Sequence, residues 1–209
     1  MSKTIKNQIL SRIYGHGRGW AFSPKDFVSE FDRSAIGVAL FSLENEKKIR
    51  RIWRGIYDYP LFSNVLKRQV APDMNHVAHA LARKFNWRIY PAGDTALNYL
   101  GLSTQMVAHY VYLSDGPSKK YAIRNRNLEF KHTTLKETSL KYTNTVLVIQ
   151  AIKAYGEKQI TNEFVQQLSN KFSPDDWQRI KSDAAKAPVW VYKIITRAVD
   201  ISKKRNVDG

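Results

Sequence analysis

The sequence predicts an α+β chain in two parts: a small basic domain, then a mixed α/β domain that ends in helices. Three stretches predict it. Residues 33–60, RSAIGVALFSLENEKKIRRIWRGIYDYP, pass from helical apolar spacing to strict alternation. Residues 60–72 carry proline at both ends, with Lys67 and Arg68 between them. Beyond residue 145 the apolar residues recur almost wholly at helical spacing.

Residues 3–14 form the first expected helix, with Ile5, Ile9, Leu10 and Ile13 on one stripe. Gly15, Gly17 and Gly19 release the backbone and end it. Trp20, Ala21 and Phe22 suit a brief strand. Ser23-Pro24 opens a short helix that would pack Phe27, Val28 and Phe31 on the core. After the turn at residues 32–34, Asp32 or Ser34 can cap a helix whose apolar face is Ile36, Ala39, Leu40 and Leu43. That helix should stop within residues 44–48, where the apolar period ends. The alternation from Ile49 to Tyr57, broken at Arg54-Gly55, predicts a hairpin. Helix, strand, helix, turn, helix, hairpin is the order of a winged helix-turn-helix, in which the third helix enters a DNA major groove and the wing lies on phosphates.

The wing supplies Lys47, Lys48, Arg50, Arg51 and Arg54 within eight positions, interleaved with Ile52, Trp53, Ile56 and Tyr57. A basic edge on an apolar-anchored hairpin suits phosphate contact better than simple solubility. The net charge of +16 across 209 residues points the same way. It is expected to serve a polyanion rather than a membrane, because no apolar run approaches the ~20 residues of a span and no signal-peptide pattern is visible. Cysteine is absent, which suits a cytoplasmic location. The glycine run at residues 15–19 follows a helix and precedes a strand, the reverse of a phosphate-binding loop.

Residues 61–71 are expected to be a linker between a DNA-binding domain, 1–60, and a C-terminal domain, 72–209. The second domain should hold helices at 74–85 and 93–100 and strands at 88–91 and 109–113. A hairpin of 120–124 with 127–132 and helices at 145–155, 163–172, 174–184 and 188–201 should follow. Lys203, Lys204 and Arg205 read as a frayed basic tail. Residues 1–60 hold 11 cations and 6 acids, so the remainder stays strongly basic.

Catalytic chemistry is weakly represented. His76 and His79 are three apart on one helix, but two histidines do not complete a zinc site. His16, His109 and His132 are scattered. Asp94 and Asp115 each adjoin glycine and read as turn residues. Ser103 and Thr104 lie near His109 in sequence with no evident orienting acid. No catalytic residue, cofactor or metal ligand is therefore expected, and the protein is not expected to be an enzyme. A nucleic-acid-targeted enzyme, such as a nuclease carried by a winged helix, is the alternative.

Several short segments carry a resemblance in one order: RIWRGIYDYP, Tyr90-Pro91-Ala92-Gly93, the run NYLGLSTQ at 98–105, and Tyr112-Leu113-Ser114-Asp115-Gly116. Together they are similar to the AbiEi antitoxins of bacterial abortive-infection toxin–antitoxin systems, over roughly residues 5–160. The resemblance implies a winged helix that binds and represses its own promoter. It also implies a C-terminal domain that opposes a nucleotidyltransferase toxin without a stable complex. The chain has no Gly-Ser and no Asp-x-Asp, so it resembles the antitoxin half of such a pair. The family's recognition helix usually carries a basic residue after its alanine-leucine pair, whereas Phe41-Ser42 stands there in this chain. Base readout is thus expected from Arg33, Ser34 and Gly37, or from thymine-methyl contact by Val38 or Phe41. For Phe41 the preferred expectation is packing against the wing or the second domain.

Overall fold

In the computed structural model, residues 4–105, 107–133 and 142–207 are described. The protein is a mixed α/β chain with eight α-helices among those residues. It divides into two compact units, Met1–Arg88 with Ala122–Asn125, and Ile89–Tyr121 with Arg126–Gly209.

The first unit opens with α1, Ile5–His16, capped by the Thr4 side chain and ended at Gly17. Ile9 and Ile13 are fully buried, while Ile5 stays 40% exposed. A short strand β1, Ala21–Phe22, leads to a single 3-10 turn, Pro24–Phe27, in place of the expected short helix. The Asp26 carboxylate accepts from both the backbone N–H and the hydroxyl of Ser23, which fixes this turn. Phe27 is buried as expected, but Val28 is exposed.

Helix α2, Arg33–Asn45, follows, and Asp32 rather than Ser34 caps it by accepting from Ser34 N at 2.9 Å. Ile36, Ala39, Leu40 and Leu43 form its buried face, packed with Ile9, Ile13, Phe22 and Phe27. Strands β2, Arg50–Trp53, and β3, Ile56–Asp58, form the hairpin, with Gly55 at φ +69° in its turn. The sheet order is β1-β3-β2. Arg50 stands opposite Asp58, and a bulge separates Arg51 from Trp53.

The next stretch corrects the linker expectation. Residues 61–71 are not an extended connector. They carry a second hairpin of β4, Phe62–Ser63, and β5, Arg68–Gln69. Both flanking prolines, Pro60 and Pro72, are buried, so they mark the base of a folded element. Helix α3, Met74–Phe85, is capped by Asp73 and stopped by left-handed Asn86. It belongs to the first unit, not the second. Arg83 Nε meets Asp26 Oδ1 at 2.6 Å and its Nη2 donates to the Ala21 carbonyl at 2.8 Å. His76 Nδ1 lies 2.7 Å from the Gly19 carbonyl. The expected division at 60 and 72 therefore fails, because α3 closes over β1 and the 3-10 turn.

In the second unit β6, Ile89–Ala92, runs antiparallel to β7, His109–Ser114, and β7 runs parallel to β9, Arg126–His132. Strand β8, Lys119–Ile123, takes the edge beyond β9. The turn joining β8 and β9 is at Arg124-Asn125, with Arg124 at φ +56°. The helices are α4, Asp94–Tyr99; α5, Thr143–Tyr155; α6, Asn162–Ser169; α7, Pro174–Asp183; and α8, Val189–Val207. Their apolar faces meet around Trp177, whose indole N–H donates to the Ser169 carbonyl at 2.9 Å. Lys203 and Lys204 continue α8 rather than fraying from it.

The Arg50–Asp58 pair makes a stability test. Asp58 is 2% exposed, and the guanidinium of Arg50 holds both its oxygens, at 3.0 and 2.5 Å. Arg50→Ala leaves that carboxylate buried without its partner and is expected to cost about 3–5 kcal/mol. Arg51→Ala, on the exposed side of the same strand, should stay within about 0.5 kcal/mol. Urea unfolding midpoints check both; equal midpoints would refute the structural role of Arg50.

Candidate nucleic-acid interface

Helix α2 buries one face and leaves the other bare. Arg33, Ser34, Gly37, Val38 and Phe41 all lie on the exposed side, with Val38 at 71% and Phe41 at 66% exposure. The packing expected for Phe41 is thus absent, and its ring stands in solvent. Ser34 is engaged locally, its hydroxyl donating to the Asp32 carboxylate. That contact and the Ser34 N–H hold the Asp32 carboxyl below the usual range. Gly37 is mid-helix, and a Cβ built there would meet no atom within 4 Å. Alanine would therefore fit, and would favour the helix by about 1 kcal/mol. Neither the backbone conformation nor any neighbour requires glycine at this position.

The cations of α2 and the wing fall into three groups. Arg50, expected to contact DNA, is engaged within the fold: it binds Asp58 and donates through Nη1 to the Val70 carbonyl at 3.0 Å. Lys48 Nζ lies 2.7 Å from Glu46, which also takes Lys6 at 2.6 Å and the Ser42 hydroxyl at 2.9 Å. The Lys48 and Lys6 ammonium groups hold the Glu46 carboxyl down to about 2. Lys48 is thus partly neutralised within the chain. Arg33, Lys47, Arg51 and Arg54 are exposed and make no ion pair among the described residues.

Lys47 has a positive φ of 57°. It sits just past the helix, where Lys48 N and Ile49 N reach back to the Leu43 carbonyl. Glycine is the usual residue at such a left-handed position. A cation there complements the carboxyl-terminal end of the helix dipole.

Two features of the wing are invisible to local sequence pattern. Lys84, on α3, donates to the Arg54 carbonyl at 3.2 Å and stands 5.7 Å from the Trp53 ring centroid. The wing turn is therefore braced from a helix thirty residues away. The β4–β5 hairpin adds Lys67, at φ +49°, and exposed Arg68. The signal for it lay in the apolar pair Val65-Leu66 between Ser63-Asn64 and Lys67-Arg68, which alternation alone does not reveal.

The second unit gathers the residues 101–105 singled out by sequence. Gly101, Leu102, Ser103, Thr104 and Gln105 line an open cavity of about 520 Å3 with Gln167, Asn170 and Lys171. Ser103 Oγ accepts from Gln105 N at 3.2 Å, and Lys171 Nζ donates to the Gly101 carbonyl at 3.3 Å. His109 does have an acidic partner, since its Nε2 lies 2.8 Å from Glu129. His76 is bonded to the Gly19 carbonyl, and burial pushes the His79 imidazole below its ordinary pKa. Among the described residues no three His, Cys, Asp or Glu gather as a metal site, and no helix is long and apolar enough to cross a membrane.

Comparison of the sequence with known families finds one of unknown function. No curated protein matches the chain. The model of a family of unknown function, DUF6088, matches residues 8–179, from within α1 into α7, and the chain belongs to that family.

Proposed function

We propose that the protein is a duplex-DNA-binding autorepressor whose first unit acts as a winged helix-turn-helix. Helix α2 would be the recognition helix and β2–β3 the wing. The observation that carries the proposal is the bare face of α2. It presents Ser34, Gly37, Val38 and Phe41 to solvent, beside unpaired Arg33, Lys47, Arg51 and Arg54. A face with small and apolar side chains between cations fits a major groove, where apolar groups meet thymine methyls and cations meet phosphates or guanine edges. The unused space at Gly37 supports the same reading, because close backbone approach to a partner is one of the few uses of a mid-helix glycine.

The resemblance of residues 90–93, 98–105 and 112–116 to AbiEi antitoxins supports a further step. In this reading the second unit antagonises a nucleotidyltransferase toxin without a stable complex, and the protein represses the promoter of its own operon. It is not an enzyme.

Gel shift with the DNA upstream of its own gene tests the first step. Arg51→Ala/Arg54→Ala should weaken specific and non-specific duplexes alike and flatten the log–log salt slope by about 2. An unchanged slope would refute the wing assignment. Arg33→Ala should instead alter which operator is preferred, by about 1–3 kcal/mol for a lost base contact. Gly37→Ala and Lys47→Gly should each stabilise the fold by roughly 1 kcal/mol while lowering operator affinity. Stabilisation with full affinity would show that neither residue serves DNA. In cells carrying the cognate toxin, the Arg51/Arg54 variant should lose promoter repression yet still rescue growth. Loss of both together would mean that repression and toxin antagonism are not separable.

A further inference from the structure

The β4–β5 hairpin has no place in the elements just assigned, and its surface is unusual. Leu61 and Phe62 are 47% and 46% exposed, Leu66 is 58%, and Val65 at its tip is 91% exposed. The only charges from residue 59 to residue 72 are Lys67 and Arg68. The nearest acids on either side are already engaged: Asp58 by Arg50, and Asp73 by the first N–H groups of α3.

An isolated two-stranded hairpin is marginal in water, so this one needs an anchor. Val70 N donates to the Leu61 carbonyl at 2.8 Å and closes the base, while Ser63 Oγ accepts from Leu66 N at 3.1 Å and shapes the loop. The outside anchor is Arg50. Its Nε and Nη2 hold Asp58 at the end of β3, and its Nη1 holds the Val70 carbonyl. One half-buried guanidinium therefore fixes the base of the second hairpin to the base of the first. The four steps from Asp58 to Phe62 span at most about 14 Å of chain, so the second hairpin stays beside the wing.

We propose that the β4–β5 hairpin is a second wing, which places Lys67 and Arg68 on phosphates and the Val65–Leu66 tip in the minor groove. This rests on the DNA-binding reading of the first unit. Apolar wedges flanked by basic residues are how many minor-groove binders part a base step and bend the duplex. A second copy of the chain is the other occupant that apolar exposure suggests. The charge decides against it, since a hairpin with two cations and no acid would meet a partner of net charge +16. Lys67 repeats the feature seen at Lys47, a cation at a left-handed turn position where glycine is the usual residue.

The test uses the full-length protein and a duplex from upstream of its own gene, read by fluorescence anisotropy across a salt series. Val65→Ser/Leu66→Ser changes only exposed side chains, and an unchanged thermal midpoint confirms the fold. This variant should bind about ten-fold or more weakly with an unchanged salt slope, and should lose the bending of circularly permuted DNA. Lys67→Ala/Arg68→Ala should flatten the slope by about 2. Netropsin, which occupies the minor groove, should compete with wild type and not with the tip variant. If both hairpin variants bind and bend DNA as wild type does, while Arg51→Ala/Arg54→Ala is weakened, the second wing is refuted and the DNA-binding reading stands. If the tip variant keeps full affinity but turns a dimer into a monomer in sedimentation, the occupant is a second copy and the inference is overturned. If wild type binds no duplex, both readings fall.

Discussion

The first unit depends on the ion pair that holds one buried carboxylate. Asp58 is almost without solvent contact, and a carboxylate in that position must be held by a cation and by hydrogen bonds. Arg50 supplies the cation with a planar fork that takes both carboxylate oxygens, and its third nitrogen reaches the Val70 carbonyl. Lysine could supply the charge but not the three fixed donors. The pair sets the start of β2 against the end of β3, which fixes the hairpin register and therefore which side of the wing Arg51 faces. A single side chain thus joins strand pairing, the second hairpin and the orientation of the exposed cations.

Around that pair the wing is braced rather than free. Lys84 holds the Arg54 carbonyl at the turn, and α3 is itself tied to the 3-10 turn through Arg83 and Asp26. Two-stranded hairpins in isolation fluctuate, and under the proposed DNA-binding reading a fluctuating wing would bind phosphates at an entropic cost. Holding the turn by a helix that packs on β1 lowers that cost before any ligand arrives. This gives α3 a reason to belong with the first unit. A helix that merely began the next domain would leave the wing turn supported at one end only.

The sequence revealed the periodic elements and concealed the partners. Helices α1, α2 and α3 and the β2–β3 hairpin are legible because their apolar periods are clean and the helix N-caps are ordinary Thr and Asp residues. The role of Arg50 is not legible. In one dimension it is one of five wing cations, and only the register that sets it opposite Asp58 separates it from Arg51. Glu46 is similar, since its claim on Lys48 is local but its claim on Lys6 spans forty residues. Prolines at 60 and 72 suggested a linker because proline interrupts regular structure. Proline equally well bounds a hairpin, and burial decides between the two uses. The affinity of α3 for the first unit could not be read from its amphipathic pattern, which says that a face is buried and not against what.

Several of the places where local preference and fold disagree lie on the proposed DNA side. Gly37 lies mid-helix with open space where a Cβ would go. Lys47 and Lys67 adopt left-handed backbone that a glycine would take without strain. Val38, Phe41 and Val65 leave large apolar surfaces in water. At other positions of the first unit local chemistry and fold agree: Asp32 and Asp73 cap the helices they precede, Asn86 stops α3, and Gly55 turns the hairpin. A sequence that satisfies its fold at so many caps and core positions, yet departs from it along one helix face, just past that helix and at one hairpin tip, has a second constraint acting at those places. The departures share a chemistry, cations beside small or apolar groups. A polyanion with methyl-lined grooves satisfies that chemistry, whereas folding alone gives no reason for it.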